Sequence, residues 1–137
     1  MTQIQELRPG RHCVFAMHVH LIFVTKYRRK VFDGDAIAKL GEHFKRVAAD
    51  FGANVVEFNG EDNHVHLLVE YPPKVPVSSL VRSMKGVSSR MLRQERPDIA
   101  GHYWKDMLWS PSYFAASCGG APLEIIKRYV EQQNRPL

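Results

Sequence analysis

The feature that most constrains the fold is a long apolar run near the N-terminus, followed directly by a helical pattern. Residues 13–25, CVFAMHVHLIFVT, are rich in β-branched and aromatic residues, which predicts a strand. A basic turn follows, Asp33 is a candidate N-cap, and Gly52 is a candidate C-terminal cap. Between these two caps, apolar residues recur at spacings of three and four at Ile37, Leu40, Phe44, Val47 and Phe51. This spacing predicts an amphipathic helix packed on a flat surface.

The rest of the chain continues this succession of strands and helices. The predicted elements are strands at 53–60 and 63–71 joined as a hairpin, a helix from Val77 to Arg96, a strand at 112–117 and a last helix over roughly 122–134. The order strand, helix, strand, strand, helix, strand predicts an α+β, ferredoxin-like (split βαβ) antiparallel sheet with an added C-terminal helix. We expect one domain over residues 1–137, with 1–11 as a loose N-terminal tail.

Composition limits the kind of partner. The formal charge is +5 and the pI is about 9.4, which favours nucleic acid first and an anionic membrane second, although a solvated basic surface is the plain alternative. The N-terminus lacks the apolar core of a signal peptide, and no stretch approaches the length of a membrane helix. Cys13 and Cys118 form no CxxC pair, so we expect reduced thiols in a cytoplasmic protein, with a single disulfide as the alternative.

The tetrapeptide HVHL occurs twice, once with His18 and His20 and again with His64 and His66. In a strand, residues i and i+2 point to the same face, so two imidazoles can converge on one ion. A histidine in a sheet can equally be a packing residue that forms hydrogen bonds. The pattern by itself leaves both interpretations open.

The surroundings favour the second copy as the metal site. His64 and His66 follow the polar turn Glu61-Asp62-Asn63 and start a strand, where a substrate has access and a carboxylate could orient an imidazole. His18 and His20 lie within a long apolar strand, where access is poor. We expect this first pair to pack or to form hydrogen bonds, with one of them supporting the ligands on the adjacent strand.

A third ligand is expected, because two histidines alone rarely make a metal site. On the last predicted helix Tyr129 and Gln133 are four residues apart and therefore share a face. The alternative for Tyr129 is that its ring completes the apolar stripe of that helix. Gln133 by itself would be an ordinary surface residue.

Three segments follow one another along the chain: VTKYRRKVF, NHVHLLVE and LWSPSYFAASCGGAPLEIIKRYVEQQ. Together they resemble the single-tyrosine HUH transposases of small bacterial insertion sequences, and the resemblance covers about residues 14–134. In HUH the U is any apolar residue, here Val65. Asn63 departs from the Asp usual before the motif. Because the two side chains are nearly isosteric, we expect this difference to alter only the tuning of the metal site.

The resemblance implies a reaction. His64, His66 and Gln133 would bind Mg²⁺ or Mn²⁺, and Tyr129 would be the nucleophile. The substrate would be single-stranded DNA carrying subterminal hairpins at the ends of a mobile element, cut and rejoined through a 5′-phosphotyrosine. The family also implies a homodimer, in a bacterial cytoplasm and associated with the nucleoid when bound to DNA. Two alternatives remain: a domesticated relative that processes repeat hairpins, and a catalytically silent module that binds single-stranded nucleic acid.

Basic residues form two candidate DNA-binding groups. Lys26, Arg28, Arg29 and Lys30 follow the first strand, and Arg82 and Lys85 lie on the second helix. Such groups would supply salt-sensitive phosphate contacts, while Tyr27, Tyr103 or Trp104 could stack on unpaired bases. Alternatively, the helix charges are a solvated face and the aromatic rings cover the core.

Overall fold

The computed structural model describes residues 8–9, 14–15, 17–103 and 107–117. Within these residues the strands are β1 (Arg8–Pro9), β2 (Val14–Phe15), β3 (Met17–Val24), β4 (Asn54–Glu61), β5 (His64–Tyr71) and β6 (Phe114–Ser117). The helices are α1 (Gly34–Asp50), α2 (Val77–Glu95) and α3 (Pro97–Ala100), and Lys26–Arg28 form a short 3-10 turn. The predicted last helix, Cys13 and Cys118 lie outside the described residues.

Four strands form one antiparallel sheet in the order β4-β5-β3-β6. The predicted first and third strands, β3 and β5, are therefore central neighbours, as the ferredoxin-like arrangement requires. Their register runs from Met17 opposite Tyr71 to Val24 opposite His64. The two HVHL copies consequently lie on adjacent antiparallel strands, with the second copy at the end where β3 finishes. We call this end of the sheet the rim.

One face of the sheet packs on α1 and α2. Val19, Leu21 and Phe23 of β3 belong to the same apolar core as residues of both helices. Because side chains alternate along a strand, the histidines of both copies occupy the opposite face, together with Ile22 and Leu68. Those two apolar residues are also fully or almost fully buried. The sheet thus separates a helix-covered core from the face that carries the imidazoles.

The predicted helix boundaries are confirmed where the structure describes them. Asp33 caps α1 by accepting a hydrogen bond from the Ala36 amide at 2.9 Å. Gly52 follows α1 with a φ of 72°, a left-handed conformation that favours glycine. The sequence analysis missed α3, although Pro97 at its first position is a typical helix start.

Candidate active site

His64 is the first residue of β5 and follows directly on the buried Asn63. The Nδ1 atom of His64 lies 2.9 Å from Oδ1 of Asn63. An amide oxygen only accepts hydrogen bonds, so the imidazole proton is on Nδ1 and the lone pair is on Nε2. The sequence analysis expected a carboxylate of the turn in this orienting role; the structure gives it to the Asn63 amide instead.

His66 lies two residues further along β5 and contacts His20 of β3. Nε2 of His66 is 3.0 Å from Nδ1 of His20, and the ring planes differ by 15°. The ring centroids are 5.2 Å apart, so the rings meet edge to edge through these nitrogens, one of which carries the shared proton. One histidine of the first HVHL copy was expected to support the second copy, and His20 makes that contact.

Both histidines of the second copy are half-buried, and burial lowers the pKa of each imidazole below its ordinary value of 6.5. For His64, the charge of Glu61 raises the pKa and the charge of Arg28 lowers it. For His66, His20 also lowers the pKa. Both rings are therefore neutral at pH 7. Neutral imidazole is the form that binds a metal ion.

His18 has a different environment from the other three histidines of the two copies. It is 5% exposed, and its Nε2 atom lies 3.8 Å from Oε2 of the buried Glu70. Glu70 also accepts a hydrogen bond from the Asn54 side chain at 3.2 Å. These contacts are at the end of β3 away from the rim, so His18 has the packing role expected for the first copy.

The segment 25–32, which we call the basic loop, wraps around the turn that precedes His64. The Thr25 amide donates to the Asn63 carbonyl at 3.0 Å, and the Val31 and Phe32 amides both donate to the Asp62 carbonyl at 3.0 Å. Lys26 and its neighbouring cations are thereby held at the rim. Of the charges predicted to contact DNA, this group is the one that the fold brings next to the paired histidines.

Two consecutive residues of the basic loop have a left-handed backbone. Tyr27 has a φ of 59° and Arg28 a φ of 54°, and neither is glycine. Such conformations cost about 1–3 kcal/mol each and persist only where surrounding contacts enforce them. Here the Thr25 hydroxyl donates to the Arg29 carbonyl at 2.7 Å and, at 3.2 Å, reaches the Asn63 carbonyl. The loop is therefore a fixed structure tied to the histidine turn.

The two residues of the second predicted group of DNA contacts, Arg82 and Lys85, have different environments. Arg82 is exposed on α2, as a phosphate contact would require. Lys85 donates to the carbonyl oxygens of Ser110, Pro111 and Ser112 at 2.6, 3.3 and 3.2 Å. Burial lowers the pKa of Lys85 to about 8. Lys85 thus fastens α2 to the segment before β6, a role that the sequence analysis did not identify.

The aromatic residues predicted to stack on bases also have different surroundings. Tyr103 is half-buried, its hydroxyl donates to the Ser89 carbonyl at 3.1 Å, and burial raises its pKa to about 12. Tyr103 therefore packs against the core, as its alternative interpretation proposed. Tyr27 is 42% exposed. Trp104 lies outside the described residues.

Among the described residues, no three His, Cys, Asp or Glu side chains are grouped closely enough to hold a metal ion. Tyr129 and Gln133, the predicted nucleophile and third ligand, lie outside those residues. The donors that are described suit a divalent metal when His66 carries its proton on Nε2 and donates it to Nδ1 of His20, because His64 then presents Nε2 and His66 presents Nδ1, each with a lone pair. Separately, none of the described helices has the length and apolar character needed to cross a membrane.

A ferredoxin-like sheet with a His-apolar-His pair at the start of its third strand matches the arrangement expected of the HUH class. A sequence model of the IS200-like transposases matches residues 13–133. The chain belongs to this family of small insertion-sequence transposases, and its function is that of a DNA transposase.

Named relatives agree with this assignment. The chain is 30% identical over 129 residues to the ISDra2 transposase TnpA of Deinococcus radiodurans, covering 94% of this chain and 92% of the relative. It is also 30% identical over 114 residues to the transposase for insertion sequence element IS200 of Salmonella typhimurium, covering 83% and 74% of the two chains.

Solved structures support the same fold. A crystal structure from Deinococcus radiodurans R1, described as a candidate transposase, superposes with a TM-score of 0.86 at 28% identity, covering 94% of this chain and 99% of that chain. A REP-associated tyrosine transposase bound to a REP hairpin superposes with a TM-score of 0.56 at 14% identity, covering 90% and 68%. At that low identity the second likeness shows the fold alone.

Proposed function

We propose that the protein cuts and rejoins single-stranded DNA at the ends of an insertion sequence. The observation that carries the proposal is the pair His64 and His66, half-buried at the rim, neutral at pH 7 and individually oriented by Asn63 and His20. A pair of histidines that served only for packing would need no access from the rim. The family assignment supports the same class of reaction.

His64 and His66, with Gln133 as the third protein ligand, would hold Mg²⁺ or Mn²⁺. Such an ion would polarise the scissile phosphate and stabilise the charge that develops on its oxygens. Histidine ligands favour Mn²⁺ relative to an all-oxygen site, so Mn²⁺ is a strong competitor for Mg²⁺ here. The orientation of His64 by Asn63 would keep its Nε2 lone pair directed at the ion.

Tyr129 would be the nucleophile. Its hydroxyl oxygen attacks the scissile phosphorus and gives up its proton, while the bond from phosphorus to the 3′-oxygen breaks. The released 3′-oxygen takes up a proton, and the 5′-phosphate remains on Tyr129. In the rejoining step a 3′-hydroxyl attacks the same phosphorus and releases Tyr129, which is protonated again. One phosphodiester replaces another, so the cycle needs no ATP.

The basic loop and Arg82 would contact the phosphates of this substrate, with Lys26, Arg28, Arg29 and Lys30 closest to the paired histidines. We expect the affinity for DNA that such a group provides to decrease as the salt concentration rises. We further propose that hairpins near the element ends are recognised. The distant structural relative was solved with a REP hairpin, which is a property of that protein and makes hairpin recognition a reasonable expectation for this one.

We also propose a homodimer in which the Tyr129 helix of one subunit completes the histidine site of the other. Mixing His64→Ala with Tyr129→Phe provides the test, after the two have been unfolded and refolded together. If the helix acts in trans, the mixed dimer contains one complete site and recovers DNA cutting. If the helix acts within its own subunit, each subunit lacks one essential group and the mixture remains inactive.

The experiment that tests the function is a gel assay for a covalent adduct. Single-stranded DNA that carries a flanking hairpin is incubated with the protein and Mn²⁺ or Mg²⁺, alongside Tyr129→Phe and His64→Ala. We expect a metal-dependent adduct with the wild-type protein and none with either variant. His18→Ala serves as a matched control, because it removes a histidine from the copy that is away from the rim.

Other outcomes would favour other functions. Binding without any adduct, with several end sequences and both metals, would favour a silent module that binds single strands. Cutting that survives Tyr129→Phe would mean that water or another residue attacks. An adduct that forms on chromosomal repeat hairpins but not on element ends would favour the domesticated, hairpin-processing alternative.

A further inference from the structure

We infer that Tyr27 forms a nucleobase-binding site at the rim, where one unpaired base of the DNA strand stacks on its ring. The inference rests on the proposed function, since it specifies how that site receives a single strand. It goes beyond phosphate contacts, because stacking on a ring requires a base that is not enclosed in a duplex.

The first observation is the exposure of Tyr27. Among the described residues only three large hydrophobic side chains are classed as exposed, and Tyr27, at 42%, is the most exposed of them. The other two are methionines, at 37% and 38%, so Tyr27 is the exposed aromatic ring of the set. Tyr103, the other described candidate, packs against the core and bonds to the Ser89 carbonyl.

The second observation is the backbone beneath the ring. Tyr27 and Arg28 are both left-handed, and tyrosine is a costly residue in that conformation. Glycine or asparagine would adopt the same backbone with less strain. The loop is nevertheless fixed by hydrogen bonds to Asp62 and Asn63. Strain that neighbouring contacts maintain beside a candidate active site points to a function for the side chain held there.

The third observation is the charge around the ring. Lys26 Nζ lies 5.2 Å and Arg29 Cζ 5.9 Å from the Tyr27 ring centroid. Both cations lie over the ring, so a stacking base would take the place of such a flexible side chain, which would then neutralise the phosphate of the same nucleotide. The loop that carries the ring is bonded to Asp62 and Asn63, the two residues directly before His64. A base on Tyr27 would therefore lie at the same end of the sheet as the histidine pair.

Equilibrium binding without metal tests the inference separately from catalysis. The probes are a fluorescein-labelled oligothymidylate and a blunt duplex of the same length, measured by anisotropy in EDTA. Tyr27→Asn removes the ring and keeps a residue that tolerates the left-handed backbone; Tyr27→Phe keeps the ring. We expect Tyr27→Asn to weaken binding of the single strand on the order of tenfold, as loss of one stacked base does, and Tyr27→Phe to bind like the wild type.

The duplex serves as the internal control. Its affinity should not change in Tyr27→Asn, and the salt dependence of single-strand binding should also be unchanged, because no phosphate contact is lost. Wild-type affinity for the single strand in Tyr27→Asn would overturn the inference. So would an equal loss for the duplex, or a loss in Tyr27→Phe as large as in Tyr27→Asn.

A second measurement uses the wild-type protein and so does not depend on the folding of a variant. An oligothymidylate with single 5-iododeoxyuridine substitutions is irradiated with the protein, and the cross-linked peptide is mapped by mass spectrometry. A cross-link at Tyr27 supports the inference, and cross-links confined to other residues overturn it. The covalent-adduct assay depends on Tyr129 and metal, so failure of the proposed reaction and failure of Tyr27 stacking remain distinguishable.

Discussion

His18-Val19-His20-Leu21 and His64-Val65-His66-Leu67 have the same four residues on neighbouring strands, and their valines and leucines enter the same core. Their histidines have different surroundings. His18 is buried beside the carboxylate of Glu70, whereas His64 is half-buried at the rim and bonded to an amide oxygen. Antiparallel pairing is the cause: it puts the start of the second copy at the open end of the sheet and the start of the first at the other end.

His20 joins the two copies. Its Nδ1 atom contacts Nε2 of His66 across the strands, so one histidine of the first copy belongs to the surroundings of the second. The difference shows that an HxH pattern acquires its function from its position along the strand and from what holds each ring. Four predictions test this comparison.

The largest expected effect is the loss of catalysis in His64→Ala. We expect DNA cutting and Mn²⁺ affinity to fall by more than about 100-fold, since loss of an outer partner of a metal ligand already costs about 10–100-fold. Titration calorimetry with Mn²⁺ gives the affinity without requiring turnover. His18→Ala is the matched control and should retain both properties. Equal losses in the two variants would remove the functional distinction between the copies.

Asn63→Ala should produce the next largest effect. Without the amide oxygen, the proton of His64 is no longer confined to Nδ1, and the Nε2 lone pair is no longer fixed. Mn²⁺ affinity should fall by about 10–100-fold. Asn63→Asp is the control, because a carboxylate accepts the same hydrogen bond, and it should retain most of the affinity. An unchanged affinity in Asn63→Ala would mean that the strand alone orients His64.

Much of this fold could be predicted because its signals are local. The apolar stripe of α1, its cap at Asp33 and the hairpin of β4 and β5 each depend on residues close in sequence. The rim position of His64 followed from the polar turn before it. These patterns also made the central pairing of β3 with β5 predictable, since the order of elements limits the topology.

The features that the sequence left open or did not indicate depend on contacts between distant residues. The His20–His66 contact joins residues 46 apart, and Lys85 reaches carbonyls 25 to 27 residues away. No local pattern specifies which atoms meet across such distances. The left-handed backbone at Tyr27 was also missed, because sequence signals for that conformation are glycine and asparagine and here neighbouring contacts impose it.

A smaller effect, on stability alone, is expected in the first copy. His18→Ala removes a buried side chain and the imidazole beside the Glu70 carboxylate, which keeps its bond to Asn54, and this should lower the free energy of unfolding by about 1–3 kcal/mol. Urea denaturation measures the change. Met17→Ala, next to it and 37% exposed, should change stability by less than about 0.5 kcal/mol. If His18→Ala folds stably yet forms no covalent adduct, the first copy has a catalytic role and the comparison fails.

The smallest effect concerns pH and the second copy. The pKa values of His64 and His66 are lowered in the folded protein, whereas the unfolded chain binds protons with the ordinary value of 6.5. As pH falls through 6.5, the unfolded state therefore takes up more protons than the folded state, and the free energy of unfolding decreases until the folded imidazoles titrate as well. Urea denaturation in EDTA, above and below pH 6.5, should show this loss in the wild-type protein. It should be smaller in His64→Gln/His66→Gln, which has no imidazoles at these positions. An identical loss in both proteins would assign the pH dependence to other groups and would contradict the lowered pKa values on which the neutral metal-binding form of the second copy depends.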